Sequence, residues 1–232
     1  MNTGHIVTSF DKELDDIHTL IMRMAGLTES QFAEALDALC RMDAELAQKV
    51  RANDAQIDDL ERELEQEVVR LIALRQPMAD DLRSAISALK IASDLERIGD
   101  YAKNIAKRSI AIGQVDRKPS FSPIARLGRL VQAIFKDTMD AFSNRDINRA
   151  IDIWHRDEEV DEMYTSLFRE LLTYMMEDPG NITACTHMMF IAKNIERIGD
   201  HATNIAETVY YLETGEQIEG KRPKGDTTAF EV

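Results

Sequence analysis

Carboxylates recur in this sequence at spacings that place them on common helical faces. Glu96 and Asp100 stand four residues apart, as do Glu196 and Asp200. The same spacing joins Asp54 to Asp58 and Asp157 to Asp161. Residues at i and i+4 lie one above the other on a helix. Carboxylates gathered at one half-buried spot repel one another and lose hydration. Without a cation they take up protons or move apart. Oxygen-rich clusters of this kind suit Fe, Mn, Mg and Ca, and Zn less typically. The expectation is one metal cluster on Asp54, Asp58, Glu96 and Asp100, and another on Asp157, Asp161, Glu196 and Asp200. Asn104 and Asn204, two turns beyond the glutamates, could add an amide oxygen or orient a ligand.

A lone ExxxD pair is most often a solvated face, and Arg97 and Arg197 beside the glutamates could form surface ion pairs. Helical phase argues otherwise. From Asp157 one face runs Asp161, Tyr164, Phe168, Leu171, Met175, so the aspartates head a core-facing line. The matching line, Asp54, Asp58, Glu61, Glu65, Val68, Ile72, also turns from acidic to apolar. Leu82 and Leu89, seven apart, lead to Glu96, and Ile182 and Met189 lead to Glu196. Glutamate thus falls where the series predicts a core residue, in both cases. Glu61 and Glu65 are weaker candidates, since their counterparts are Tyr164 and Phe168.

These residues are positioned by a duplication. I-A-S-D-L-E-R-I-G-D-Y-A-K-N-I-A at 91–106 returns as I-A-K-N-I-E-R-I-G-D-H-A-T-N-I-A at 191–206. Phe32, Leu39, Asp43, Asp54, Ile57 and Asp58 fall on Phe135, Phe142, Asp146, Asp157, Val160 and Asp161 at an offset of 103. The change of offset predicts a loop near Pro77 and Pro179. Each copy reads as three helices. The first is expected from near Ser9 to Arg41, the second from an Asp43 cap to Gln76, and the third over 80–113. The second copy follows to Asn144, then from an Asp146 cap to Glu177, then from Asn181 to Leu212. The domains expected are a bundle over 8–113, a linker over 114–123, a bundle over 124–213 and a polar tail over 214–232 that reads as disordered. Such short loops make antiparallel three-helix bundles, an all-α fold.

Gly99 and Gly199, in mid-helix beside the aspartates, suggest close approach of another helix. His155 and His201 read mainly as packing or surface residues, and Trp154 as core or interface. A formal charge of -14 argues against direct nucleic-acid binding or an anionic bilayer. Cys40 and Cys185 form no disulfide framework and suit a reducing cytosol. The first ten residues lack a signal-peptide core, and no apolar run approaches a spanning length. Membrane association would therefore run through a partner.

E-R-I-G-D-Y-A-K-N-I-A and E-R-I-G-D-H-A-T-N-I-A resemble the duplicated motif of the PhoU family, regulators of phosphate-specific transport. A-L-R-Q-P at 73–77 and L-T-Y-M-M-E-D at 172–178 extend the resemblance, which runs from about Phe10 to Leu212. Lys107 departs from the Glu that often closes the motif and that Glu207 keeps. The resemblance implies two three-helix bundles side by side, often as a homodimer, with a metal cluster on each. It implies a non-enzymatic, cytoplasmic regulator at the inner face of the membrane, with no catalytic residues. It implies partners, the ATPase subunit of the phosphate ABC transporter and the phosphate-sensing histidine kinase, both damped when phosphate is plentiful. A di-metal bundle enzyme is the alternative by chemistry, but such sites use Glu-x-x-His pairs, and this chain has none. A metal-free helical scaffold is the other.

Overall fold

The computed structural model describes residues 3–116, 120–220 and 222, with side chains from residue 12 onward. The order is α1 (Thr3–Arg41), α2 (Ala44–Asn53), α3 (Ala55–Arg75), α4 (Asp80–Gly113), α5 (Ser122–Asn144), α6 (Ile147–Glu177) and α7 (Ile182–Thr214). A single 3-10 turn, Pro179–Asn181, leads into α7. No strand occurs among the described residues, and none of their helices is long and apolar enough to cross a membrane.

The duplication is visible in the turns. Asp43 and Asp146 are N-caps, accepting from the backbone N–H of Leu46 (2.9 Å) and Arg149 (3.1 Å). The residues before them, Met42 and Arg145, both adopt left-handed φ, 57° and 52°. The Asp43 and Asp146 N–H groups then reach back to Ala38 O and Ala141 O, each at 2.9 Å. Each preceding helix is thus closed and the next one opened by a single three-residue device.

Two differences from the expected elements matter. Helix α1 begins at Thr3, earlier than Ser9. The expected helix over 44–76 divides at Asp54, whose carbonyl accepts from both Ile57 N (2.9 Å) and Asp58 N (3.3 Å), a tightened turn. In the second copy α6 runs unbroken through Asp157. The turns 76–79 and 178–181 stand where the repeat offset changes.

Helix α1 packs with α2, α3 and α4, and α5 packs with α6 and α7. The bundles join through α4 against α7 and α1 against α5. One continuous core results, with Phe32 and its counterpart Phe135 fully buried. His201 belongs to this seam rather than to an acidic site: its Nδ1 lies 2.7 Å from Asp94 Oδ1, and its ring stacks on Tyr101.

Gly99 and Gly199 mark close helix approaches, as their repetition suggested. A Cβ on Gly99 would lie 3.0 Å from Ile57 Cδ1, and one on Gly199 3.2 Å from Val160 Cγ1. Gly26, by contrast, has nothing within 4 Å. Gly199→Val should therefore overpack α6 against α7 and cost about 1–3 kcal/mol. Gly26→Ala should gain up to about 1 kcal/mol. Thermal melts followed by circular dichroism would check both, and a Gly199→Val midpoint at or above wild type would contradict the packing argument.

Candidate cation-binding sites

The two acidic faces are not equally buried. In the second copy Asp157, Asp161 and Glu196 are buried and Asp200 is half-buried. In the first only Asp54 is buried, while Asp58, Glu96 and Asp100 are half-buried, as is Glu61, and Glu65 is exposed. The line below Asp157 does face the core, with Tyr164 and Leu171 buried. The lines above the glutamates begin differently from their expected course: Leu82 is 38% exposed and Ile182 48% exposed. Seven-residue spacing follows the flank of α4 and α7, while Ile91, Leu95, Ile98 and their counterparts form the buried stripe beside it.

Among the described residues no three of His, Cys, Asp and Glu are placed to hold a metal ion as they stand. Cations of the chain itself sit between the acids. In the first site Lys103 Nζ donates to Asp54 Oδ2 at 2.5 Å and to Asp100 Oδ1 at 3.1 Å. Gln31 Nε2 completes Asp54 with a bond of 2.9 Å and bonds Gly99 O at 3.0 Å. The Asp54 bond, with a contribution from Asp100, holds the Lys103 ammonium well above its ordinary value. Asp58 and Glu96 are pushed upward, first by burial and then by neighbouring carboxylates, Asp54 for Asp58 and Asp100 for Glu96. Asn104 is exposed.

The second site has Thr203 where the first has Lys103, and Thr203 Oγ1 donates to Asp157 Oδ1 at 3.3 Å. The cation arrives from the tail. Arg222 grips Asp157 with both ends of its fork, Nε to Oδ2 at 2.7 Å and Nη2 to Oδ1 at 2.5 Å. Nη2 also reaches Asp200 Oδ1 at 2.9 Å, and Nη1 reaches Asn204 Oδ1 at 3.0 Å. Arg222, in the segment beyond 214 that reads as disordered, makes these contacts because the bidentate carboxylate and amide acceptors match a guanidinium. Lys221 and residues 223–232 lie outside the described residues.

Glu196 is the outlier. Lys193 Nζ donates to its Oε1 at 2.8 Å, but Oε2 is buried with no hydrogen-bond partner among the described residues. Burial, reinforced by Asp200 and Asp161 and opposed by Lys193, pushes this carboxyl up to about 7. A buried carboxylate oxygen without a partner among the described residues, in an all-oxygen donor set, is the donor chemistry that suits a cation.

Gln31, Lys103, Lys193, Thr203 and Arg222 are thus contacts of the acidic faces that the acidic spacing did not reveal. Positions 93 and 193, 94 and 194, and 103 and 203 are where the two copies of the 91–106 repeat differ in charge. That difference is the signal that marks Lys103, Lys193 and Thr203.

Two fused three-helix bundles, each presenting an acidic face bridged by a basic side chain, define a duplicated, all-helical protein. The chain belongs to the PhoU family: the PhoU domain matches residues 21–109 and 124–209. It is 52% identical to the phosphate-specific transport system accessory protein PhoU homolog of Caulobacter vibrioides, over 97% of this chain and 98% of the relative. The homolog of that name from Rhizobium meliloti is 50% identical, over 99% of this chain and 97% of the relative. The crystal structure of PhoU from Pseudomonas aeruginosa superposes with a TM-score of 0.87 at 42% identity, covering 89% of this chain and all of that one. PhoU from Streptococcus pneumoniae, the phosphate transport system regulatory protein, gives 0.85 at 31% identity, covering 91% of this chain and all of that one.

Proposed function

We propose that this chain is an accessory protein of a phosphate-specific transport system, and that it restrains uptake and the phosphate-starvation response when phosphate is plentiful. Its partners in this reading are the transporter ATPase and the phosphate-sensing histidine kinase, met in the cytoplasm at the inner face of the membrane, with the chain acting as a homodimer. The carrying observation is the match over both repeats and nearly the full length to relatives named as transport accessory proteins. Those names describe an accessory role in transport, which supports action by contact rather than by turnover.

In the same reading, metal ions of the Fe, Mn, Mg or Zn class bind at the acidic faces. Asp157, Asp161, Glu196 and Asp200 would hold one at the second site. Asp54, Asp58, Glu96 and Asp100 would hold one at the first. A bound ion would supply charge neutralisation, fixing α6 against α7 and α3 against α4. The orphaned Glu196 oxygen supports the second site most directly. Lys103, seated between Asp54 and Asp100, favours a metal-free arrangement at the first.

The test is a deletion strain grown in high phosphate, with phosphate uptake and a starvation-promoter reporter measured. Deletion should raise both several-fold, and the wild-type gene should restore them. Unchanged uptake and an unchanged reporter would refute the regulatory reading. Metal content is measured separately, on untagged protein purified without chelators.

A further inference from the structure

Helix α7 is capped by Gly215, whose φ of 76° reverses the chain and whose N–H caps Tyr211 O at 2.9 Å. The returning segment passes Trp154: Gly220 lies against the indole, and a Cβ there would stand 3.9 Å from Trp154 Cη2. Trp154 is itself buried and donates to Glu207 at 2.9 Å. Two residues beyond Gly220, Arg222 enters the second acidic site.

Four acceptors meet this one guanidinium: Asp157, the Asp200 carboxylate, the Asp200 carbonyl at 3.3 Å, and Asn204. Asp157 is buried, and only 16% of the Arg222 side chain is exposed. Guanidinium planarity makes this a shaped receptor rather than a loose ion pair. The first site has no such visitor among the described residues, because Lys103 fills it from within its own helix, at the position Thr203 leaves open in the second.

We propose that the second acidic site is an arginine receptor occupied in cis by Arg222, and that a divalent cation and Arg222 are alternative ligands for it. Asp157 and Asp200 cannot serve both. A metal entering among Asp157, Asp161, Glu196 and Asp200 must displace the guanidinium, and the packing of Gly220 on Trp154 is released with it. The inference rests on the metal reading above. The apparent metal affinity falls by the fraction of molecules in which the site is open, so removing the competitor strengthens binding.

Trp154 is the only tryptophan in the chain, so tryptophan emission reports on the packing of the segment at Gly220, two residues before Arg222. The experiment titrates Mn2+ into the full-length protein and into Arg222→Gln and Arg222→Lys. It reads the Trp154 emission maximum, which quenching by Mn2+ does not displace, together with Mn2+ bound at equilibrium dialysis. The wild type should shift its maximum to the red as Mn2+ binds. Arg222→Gln should start red-shifted, shift no further, and bind Mn2+ about tenfold more tightly. Arg222→Lys, which keeps charge but loses the fork, should fall between. Equal Mn2+ affinity in wild type and Arg222→Gln, with Trp154 unmoved by metal, would overturn the inference and leave the metal reading standing. No Mn2+ bound by either protein would overturn both.

Discussion

Glu196→Gln is expected to stabilise the metal-free protein above pH 7 while abolishing tight metal binding at the second site. The folded-state value of Glu196, about 7, lies above the ordinary 4.5. Between those two values the folded chain retains a proton that the unfolded chain releases. The contribution of this group to stability is therefore complete below about pH 4.5 and is lost as pH rises through 7. A shift of that size corresponds to at most about 3 kcal/mol. Lys193 keeps an acceptor in the amide, so the expected gain for the variant at pH 8 is about 1–2 kcal/mol, or a few degrees in midpoint for a chain of this length. At pH 4.5 and below, the two proteins should melt together. With Mn2+ present the order should reverse, since only wild type gains from the ion. Thermal melts at pH 4.5 and pH 8, with and without Mn2+, read all of this. A variant less stable than wild type at pH 8 without metal would show that Glu196 is structurally satisfied and not held for a cation.

Much of this arrangement was legible in the chain before its structure, for identifiable reasons. Asp43 and Asp146 were recognisable as caps because a capping carboxylate acts on the backbone three residues ahead, a local rule. Asp157 and Asp161 were recognisable as inward because one line of α6 carries them with Tyr164 and Leu171. The lines through Leu82 and Ile182 misled, because a spacing of seven follows a face without saying whether that face is the buried stripe or its flank. Asp54 breaks its helix where Asp157 does not, and the local difference is Asn53 before Asp54, a turn-favouring residue where the second copy has Arg156. Arg222 was beyond reach for a different reason. It meets Asp157 across 65 residues of chain, and a long-range contact from a short basic tail leaves no periodic trace. Lys103 lay in between: the acid spacing was silent about it, yet setting the copies side by side exposes a lysine opposite a threonine.

That exchange carries the other large expectation. Lys103→Thr writes the second copy's residue into the first and removes the ammonium bridging Asp54 and Asp100. Asp54 is 3% exposed and would keep only Gln31 as a side-chain donor among the contacts described here. Removing one partner of a fully buried ion pair costs about 3–5 kcal/mol. Lys103 is 40% exposed along its side chain, so solvent screening reduces the expected loss to about 1–3 kcal/mol. Because the lysine is held above its ordinary value, its contribution is present throughout the neutral range and fades only in strong alkali, so the loss should not vary between pH 6 and pH 9. The variant leaves Asp54, Asp58, Glu96 and Asp100 with no internal cation bridging them, which is the condition for taking one from solution. Mn2+ should restore most of the lost stability, and the number of ions bound should rise relative to wild type. Urea denaturation with and without Mn2+ separates the effects. A loss that Mn2+ does not repair would mean that the first face is a lysine-closed structural ion pair, and that only the second copy keeps a site open to metal.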